Sequence, residues 1–421
     1  MSVSLPWRLS LTALALALAP LVHAQDASDA FKFKLGYTGE GAVLLDGGKD
    51  KDSAYAGQLV FGTEVDLQRL VNWNGATVKM FGVYRHGTSL TNDVGNSVSV
   101  QELYGAQGTR LVNLTLEQKL FDDRLELEAG RSGANIHFLG SELCGYFQNN
   151  AACGSPKYVF QVSNFTYWPV SSWAAHAKAW VTPKVYVHVG VYEVNPTQAE
   201  DGEHGLNWST RDSTGVVVPY AIGYKTDAAS ARLPALYEIG GWQDNSDYRD
   251  PLNDRNGNPA RRSGLDYASR NGRSGAFFRF EQQVTRPDAD GTRGLVLFGS
   301  VLKGTSGQLI EDYFLELGLV QRGTFASRAH DNIAFVVTQQ HYSDDALHDQ
   351  RLARAAAGGS GTPHSSQYMM ELNYGIQVSP QLRIAPNLQY IVHPDQFNEP
   401  ARTRDLPNAL VAGMRVDWTL L

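Results

Sequence analysis

The sequence has two cysteines, little charge, and no long apolar run after its first residues. Each shortage removes a class of protein. Cys144 and Cys153 stand in a C-x8-C spacing with no second pair, so a structural zinc site of the usual four-ligand kind is excluded. Beyond Leu21 no stretch reaches the roughly 18 to 20 consecutive apolar residues of a membrane-crossing helix, so any membrane crossing must be made by strands. Charged residues are 19% of the chain and the net charge is −7, below the roughly 25% of ordinary globular domains. That mildly acidic balance argues against a nucleic-acid partner. Phosphate-loop, H-E-x-x-H and nucleophile-elbow patterns are missing, which leaves an enzyme without local support and implies no cofactor.

The N-terminus is the exception to the shortage of apolar runs. Arg8 supplies positive charge, Leu9 to Leu21 form a short apolar stretch, and Val22-His23-Ala24 fits a cleavage site. Residues 1–24 therefore read as a secretory signal peptide. Residues 25–30 form a short leading segment, and residues 31–421 a single domain.

What the domain has is alternation. Successive side chains of a strand point to opposite faces, so a strand between lipid and water must alternate apolar and polar residues. Val185, Val187, Val189 and Val191 alternate with Tyr186, His188 and Tyr192. Leu125 and Leu127 oppose Glu126 and Glu128; Leu372, Tyr374 and Ile376 oppose Glu371, Asn373 and Gln377; Met414, Val416 and Trp418 oppose Arg415 and Asp417. Sixteen such segments are predicted, at 31–38, 53–67, 75–84, 109–121, 124–131, 173–182, 184–193, 215–225, 235–243, 275–284, 294–303, 312–322, 332–341, 367–378, 381–391 and 409–420. The patterning is weak at 235–243 and 294–303. Gap lengths add an independent sign: tight turns at 121–124, 182–184 and 379–381 are interspersed with the long segments 85–108, 132–172, 194–214, 244–274, 342–366 and 392–408. Outer-membrane barrels place short turns on the periplasmic side and long loops outside. The predicted fold is an all-β transmembrane antiparallel barrel of sixteen strands with long extracellular loops. A barrel of that size keeps an aqueous lumen.

The longest loop, 132–172, is expected to fold inward. It holds Cys144 and Cys153, and a disulfide there would close a small ring worth roughly 2 to 3 kcal/mol; two free thiols are the other reading.

Several words of the sequence carry a resemblance: Leu127-Glu-Ala-Gly-Arg131, Cys144-Gly-Tyr-Phe-Gln-Asn-Asn-Ala-Ala-Cys153, Tyr167-Trp-Pro-Val-Ser-Ser-Trp173 and Val191-Tyr-Glu-Val-Asn-Pro196. Tyr374-Gly-Ile-Gln-Val-Ser-Pro380 and Pro386-Asn-Leu-Gln-Tyr-Ile-Val-His-Pro394 form a second patch. In this order they resemble the carbohydrate-selective outer-membrane porins, the glucose-porin family. The resemblance implies a sixteen-stranded channel of the outer membrane that passes monosaccharides or other small polar solutes, embedded in outer-membrane lipid as a monomer or homotrimer. The chain departs from the usual barrel pattern at its end, Trp418-Thr-Leu-Leu421, where an aromatic residue is customary.

A sugar presents hydroxyls around an apolar ring face, so a constriction selective for it needs aromatic surfaces beside charged or amide groups. The candidates are Arg131 at the start of the third loop, Glu126 and Glu128 in the inward phase, and His176 and Lys178 on the next strand. Tyr146, Phe147, Asn149, Trp168 and Trp173 come from the loop and its flanks, and Arg383, Asn387, Gln389 and Arg415 from the far wall. Each has a plainer reading. Trp168 and Trp173 fit an interfacial aromatic girdle, Arg131 with Glu128 fits a wall ion pair, and Lys32, Lys34 and Arg415 fit general lumen charge. The run Asp244, Asp247, Asp250 and Asp254 offers calcium ligands or a solvated loop, and lacks the bidentate glutamate of a calcium hand. Four functions follow: a sugar channel, a porin for other solutes, an adhesin or structural barrel, and an outer-membrane enzyme such as a lipase, which would have fewer strands and a filled lumen.

Overall fold

The computed structural model describes residues 29–153, 156–288 and 293–421; the expected signal peptide lies outside them. Sixteen strands run through the described residues: β1 (Phe31–Asp46), β2 (Ser53–Asp66), β3 (Ala76–Gly87), β4 (Gly108–Leu120), β5 (Leu125–Ser132), β6 (Ser172–Trp180), β7 (Val185–Val194), β8 (Gly215–Lys225), β9 (Ala235–Asp254), β10 (Tyr267–Gln283), β11 (Gly294–Ser306), β12 (Glu311–Arg322), β13 (Asn332–Tyr342), β14 (Ser366–Ser379), β15 (Leu382–Val392) and β16 (Ala409–Thr419). Each pairs antiparallel with its sequence neighbours, and β1 pairs with β16 from Gly36 opposite Thr419 to Asp46 opposite Leu410, closing the barrel. Closure leaves no strand edge, which membrane-spanning sheets require because lipid cannot satisfy free backbone groups.

The alternation expected from the sequence is the one observed. Val187, Val189 and Val191 are exposed on the outer face, as are Ile222, Ile239, Leu317, Leu372, Leu388 and Met414. Their neighbours Tyr186, His188, Glu238, Glu316, Glu371, Asn387 and Arg415 are buried on the inner side.

Three strands are much longer than expected, β1 running on to Asp46 and β9 and β10 extending toward each other. β9 and β10 continue as a hairpin through Asp254 and Tyr267, where the sequence pattern suggested loop. Their upper parts lack apolar alternation and carry charge instead: Asp244 accepts from Arg273 Nε at 2.9 Å and Asp250 from Arg270 Nε at 2.9 Å. Asp254 accepts from the backbone N–H groups of Asn256 and Asn258. The aspartates offered as calcium ligands thus serve as ion-pair partners and turn caps of this hairpin.

The weak pattern of 235–243 and 294–303 has a packing cause. Their inward residues include Trp242, Val296, Phe298 and Leu302, all buried, so both phases of the strand are apolar. Trp242, Phe298 and Leu302 support a loop inside the barrel rather than face water.

Because Leu317 is 57% exposed on the outer face of β12, Leu317→Arg is expected to destabilise the barrel by about 2–4 kcal/mol. Reversible urea unfolding from lipid vesicles measures it, and a loss under 1 kcal/mol would remove this face from the lipid.

Candidate functional site: a loop docked across the lumen

The third loop, residues 133–171, enters the barrel instead of extending away from it. Its first half carries Phe138 and Leu139, and its short helix Pro156–Val162 carries Tyr158, Val159 and Val162. These pack with Phe165 against the inward side chains Tyr192, Trp242, Phe277, Leu302 and Phe314. Burying each large apolar side chain contributes about 1.5–3 kcal/mol, which fixes the loop's base. Burial also raises the phenol pKa values of Tyr158 and Tyr167, so both stay neutral.

The tip meets the opposite wall. Phe147 packs on Phe298 with ring centroids 5.8 Å apart, and Ala151 and Ala152 join a cluster with Val320, Val336 and Met369. The second loop, residues 88–107, completes this cluster with Leu90, Val94, Val98 and Val100. It had been expected outside, yet these four residues are buried.

Polar groups set the register of the tip. Glu371 on β14, fully buried, accepts hydrogen bonds from the backbone N–H of Gln148 at 2.9 Å and of Asn149 at 2.8 Å. The Asn149 amide donates to Gln389 Oε1 at 2.8 Å, and the Asn387 amide donates to Gln148 Oε1 at 2.8 Å. Gly413 makes room for this approach: a Cβ there would lie 2.4 Å from Asn387 Oδ1 and 2.8 Å from Gln148 Oε1.

Two arginines tie loop carbonyls to wall carboxylates. Arg383 donates to Gly145 O at 3.0 Å, Tyr146 O at 3.2 Å and Asp417 at 3.0 Å, and its guanidinium lies 5.2 Å from the Tyr146 ring centre. Arg415 donates to Phe147 O at 3.1 Å, Glu40 at 2.8 Å, Glu102 at 2.7 Å and Asp417 at 2.9 Å. Arg415, which fitted general lumen charge in the sequence, is the centre of this network.

Two cavities meet at it. An upper one of about 360 Å³ is lined by Arg85, Glu102, Tyr104, Tyr167, Trp168 and Asn195 among others. A lower one of about 970 Å³ is lined by Glu142, Tyr146, His330, Arg383, Arg415 and Asp417 among others. The 2.7 Å bond from Arg415 to Glu102 joins a lining residue of one to a lining residue of the other.

The remaining candidates sort by face. Glu128, His176 and Lys178 point inward as expected, with Glu126 opposite Lys178 and Glu128 opposite His176 in the sheet register. Trp168 is inside, its indole donating to Gln58 Oε1 at 2.9 Å, so the girdle reading does not describe it. Trp173 does lie on the outer face, 36% exposed, with its ring 5.4 Å from Trp208. Arg131 is opposite Trp173 in register and is fully buried. It donates to Ser171 O and to Gln198 Oε1, both at 2.7 Å. It therefore pins the fourth loop, residues 195–214, where β4 outruns the shorter β5. The N–H of Leu111 donates to His204 O at 2.8 Å where β4 extends past the end of β5. Cys144 lies in the loop, while the Cys153 side chain, and with it the expected pairing, falls outside the described residues.

Glu40, Glu102, Arg85 and Glu371 were not picked out from the sequence as site residues. Glu371 had a legible signal, the lone acid in the inward phase of Tyr368 to Tyr374. Glu102 had none, since its position depends on the second loop turning inward.

A closed sixteen-stranded barrel with charged cavities above and below an inward loop is, by fold, an outer-membrane diffusion channel. Residues 50–420 match the model of the carbohydrate-selective porins of the OprB family, and the chain belongs to that family. It is 34% identical over 402 residues to Porin B of Pseudomonas aeruginosa, spanning 92% of this chain and 87% of that one. It is 27% identical over 410 residues to the putative porin QuiX of Acinetobacter baylyi, spanning 91% and 88%. The high-pH structure of Pseudomonas putida OprB superposes with a TM-score of 0.85 at 31% identity, covering 93% of this chain and 95% of that one. Salmonella typhi OmpF, at 9% identity and a TM-score of 0.55 over 93% and 99% of the chains, shares the fold. The protein resides in the outer membrane.

Removing the Glu371 acceptor leaves two buried N–H groups unpaired, a loss of about 2–6 kcal/mol at about 1–3 kcal/mol for each. Glu371→Ala is expected to lower unfolding stability by that amount and to speed hydrogen exchange at Gln148 and Asn149; unchanged exchange would mean these amides are held by something else.

Proposed function

We propose that the channel passes monosaccharide-sized sugars by passive diffusion, from the upper cavity past the Glu102–Arg415 pair into the lower one. The observation that carries this reading is the pairing of charged groups with ring faces where the two cavities meet. Carboxylate and guanidinium groups bind hydroxyls strongly, and Arg415, Arg383, Glu102 and Asp417 present both kinds. Tyr146 and Trp168 line the lower and upper cavities beside them, and aromatic faces suit the C–H face of a sugar. A sugar would exchange hydrogen bonds with these groups one at a time, bound firmly enough to enter and loosely enough to leave. No energy source or cofactor enters the scheme.

The other sequence candidates take supporting roles in it. Phe147, Asn149 and Asn387 hold the loop tip, Arg131 and Trp173 hold the rim, and Glu126, Glu128, His176 and Lys178 line the wall under the loop's base. A Cys144–Cys153 bridge would close a ring that holds Tyr146 and Phe147 and stiffen the narrow passage.

Liposome swelling tests the selectivity. Glucose is expected to enter several times faster than an amino acid of similar size, and Arg383→Ala to erase most of that preference while the barrel stays folded. Equal rates for the two solutes in the unmodified channel would favour a general porin.

A further inference from the structure

Beneath the loop's base lies a cluster of groups that the sugar path does not use. Glu128 on β5, His176 on β6 and His137 on the third loop converge so that one ligand atom of each lies within 4.8 Å of the others. His137 Nε2 is 3.5 Å from Glu128 Oε1, and His176 Nε2 is 3.7 Å from Glu128 Oε2. These separations are too long for hydrogen bonds. They are close to the edges, about 3.4 Å long, of a tetrahedron of ligands 2.0–2.1 Å from a metal.

The groups are also short of partners. Glu128 is 3% exposed and His176 7%, and Glu128 Oε1 and His176 Nε2 are both buried without a hydrogen bond. Buried polar atoms in native proteins are almost always satisfied. The surroundings hold the ligands from behind, as second-layer groups do in metal sites. His176 Nδ1 lies 3.1 Å from His188 Nε2, and in the tautomer with its proton on Nδ1, donating to His188, His176 has its Nε2 lone pair free toward Glu128. His188 is fixed in turn by stacking on Phe138, centroids 3.9 Å apart. Lys79 sits 2.8 Å from Glu128 Oε2 and 2.5 Å from Glu117, and leaves Oε1 to face His137. Ser132 Oγ, 3.2 Å from His137 Nε2, is a further oxygen at the rim.

We propose that Glu128, His137 and His176 form a binding site for a divalent transition metal of the zinc class. Two imidazoles and a carboxylate suit that class and not calcium or magnesium, which take oxygen ligands. Because His137 belongs to the loop and the other two to the wall, the ion would clamp the base of the loop to β5 and β6. A cavity of about 610 Å³, lined by His137, His188, Lys178, Glu238 and Arg279 among others, gives access from the lumen.

Calorimetric titration of the folded, chelator-treated porin with zinc chloride tests this, with Co(II) absorption as a report on geometry. One ion per barrel is expected, with the visible spectrum of a four-coordinate cobalt. His137→Gln and His176→Gln should each weaken binding by at least about tenfold, whereas His204→Gln, on the fourth loop, should not. His137 is on a loop, and retention of the heat-modifiable folded band would show that its variant is intact. Binding equal in the porin and in the His137→Gln, His176→Gln double variant, or no binding to either, would overturn the proposal.

Discussion

A loop suspended across a water-filled tube must replace the hydration of its backbone with bonds to its surroundings, and one buried carboxylate takes two consecutive N–H groups at the tip. Glu371 accepts two consecutive loop N–H groups from the middle of β14. With it in place, the neighbouring carbonyls fall within reach of Arg383 and Arg415, and the side chains of Gln148 and Asn149 pair with Asn387 and Gln389. The bore's shape follows from where this tip is held. An apolar base alone would leave the tip free to swing, since hydrophobic contact carries no direction.

The arginines do two jobs that are hard to separate. Each is desolvated by the loop it holds, a cost that its carboxylate partners offset. Each also keeps donors that a passing hydroxyl can use in exchange, which an entirely apolar passage would lack. On the proposed sugar path the same groups fix the loop and contact the solute, so a change in one alters the other.

The barrel was legible because lipid on one side and water on the other impose period-2 alternation, which Val185–Val191 and Leu372–Gln377 display without interruption. It blurred where that condition fails. β9 and β10 continue beyond the membrane, where both faces are wet, so Asp244 to Asp254 read as loop. β11 lies under the inward loop, so Phe298 and Leu302 made both its phases apolar. The site was legible in part. Arg383 and Asn387 were found from strand phase, because the inner wall obeys the same alternation. Arg131 shares the outer phase with Trp173 at the rim and is buried there by the fourth loop, so its charge does not signal the lumen. Glu102 depends on the second loop folding inward, a tertiary choice with no local pattern, whereas Glu40 sits on β1 opposite Arg415, past the expected end of that strand.

The central claim is that the docked tip of the third loop sets the bore. Single-channel conductance of a barrel lacking residues 142–152, compared with the intact chain in the same planar bilayer, tests it most directly. The account predicts a conductance several times larger and nearly insensitive to added glucose; an unchanged conductance with the same glucose sensitivity would contradict it.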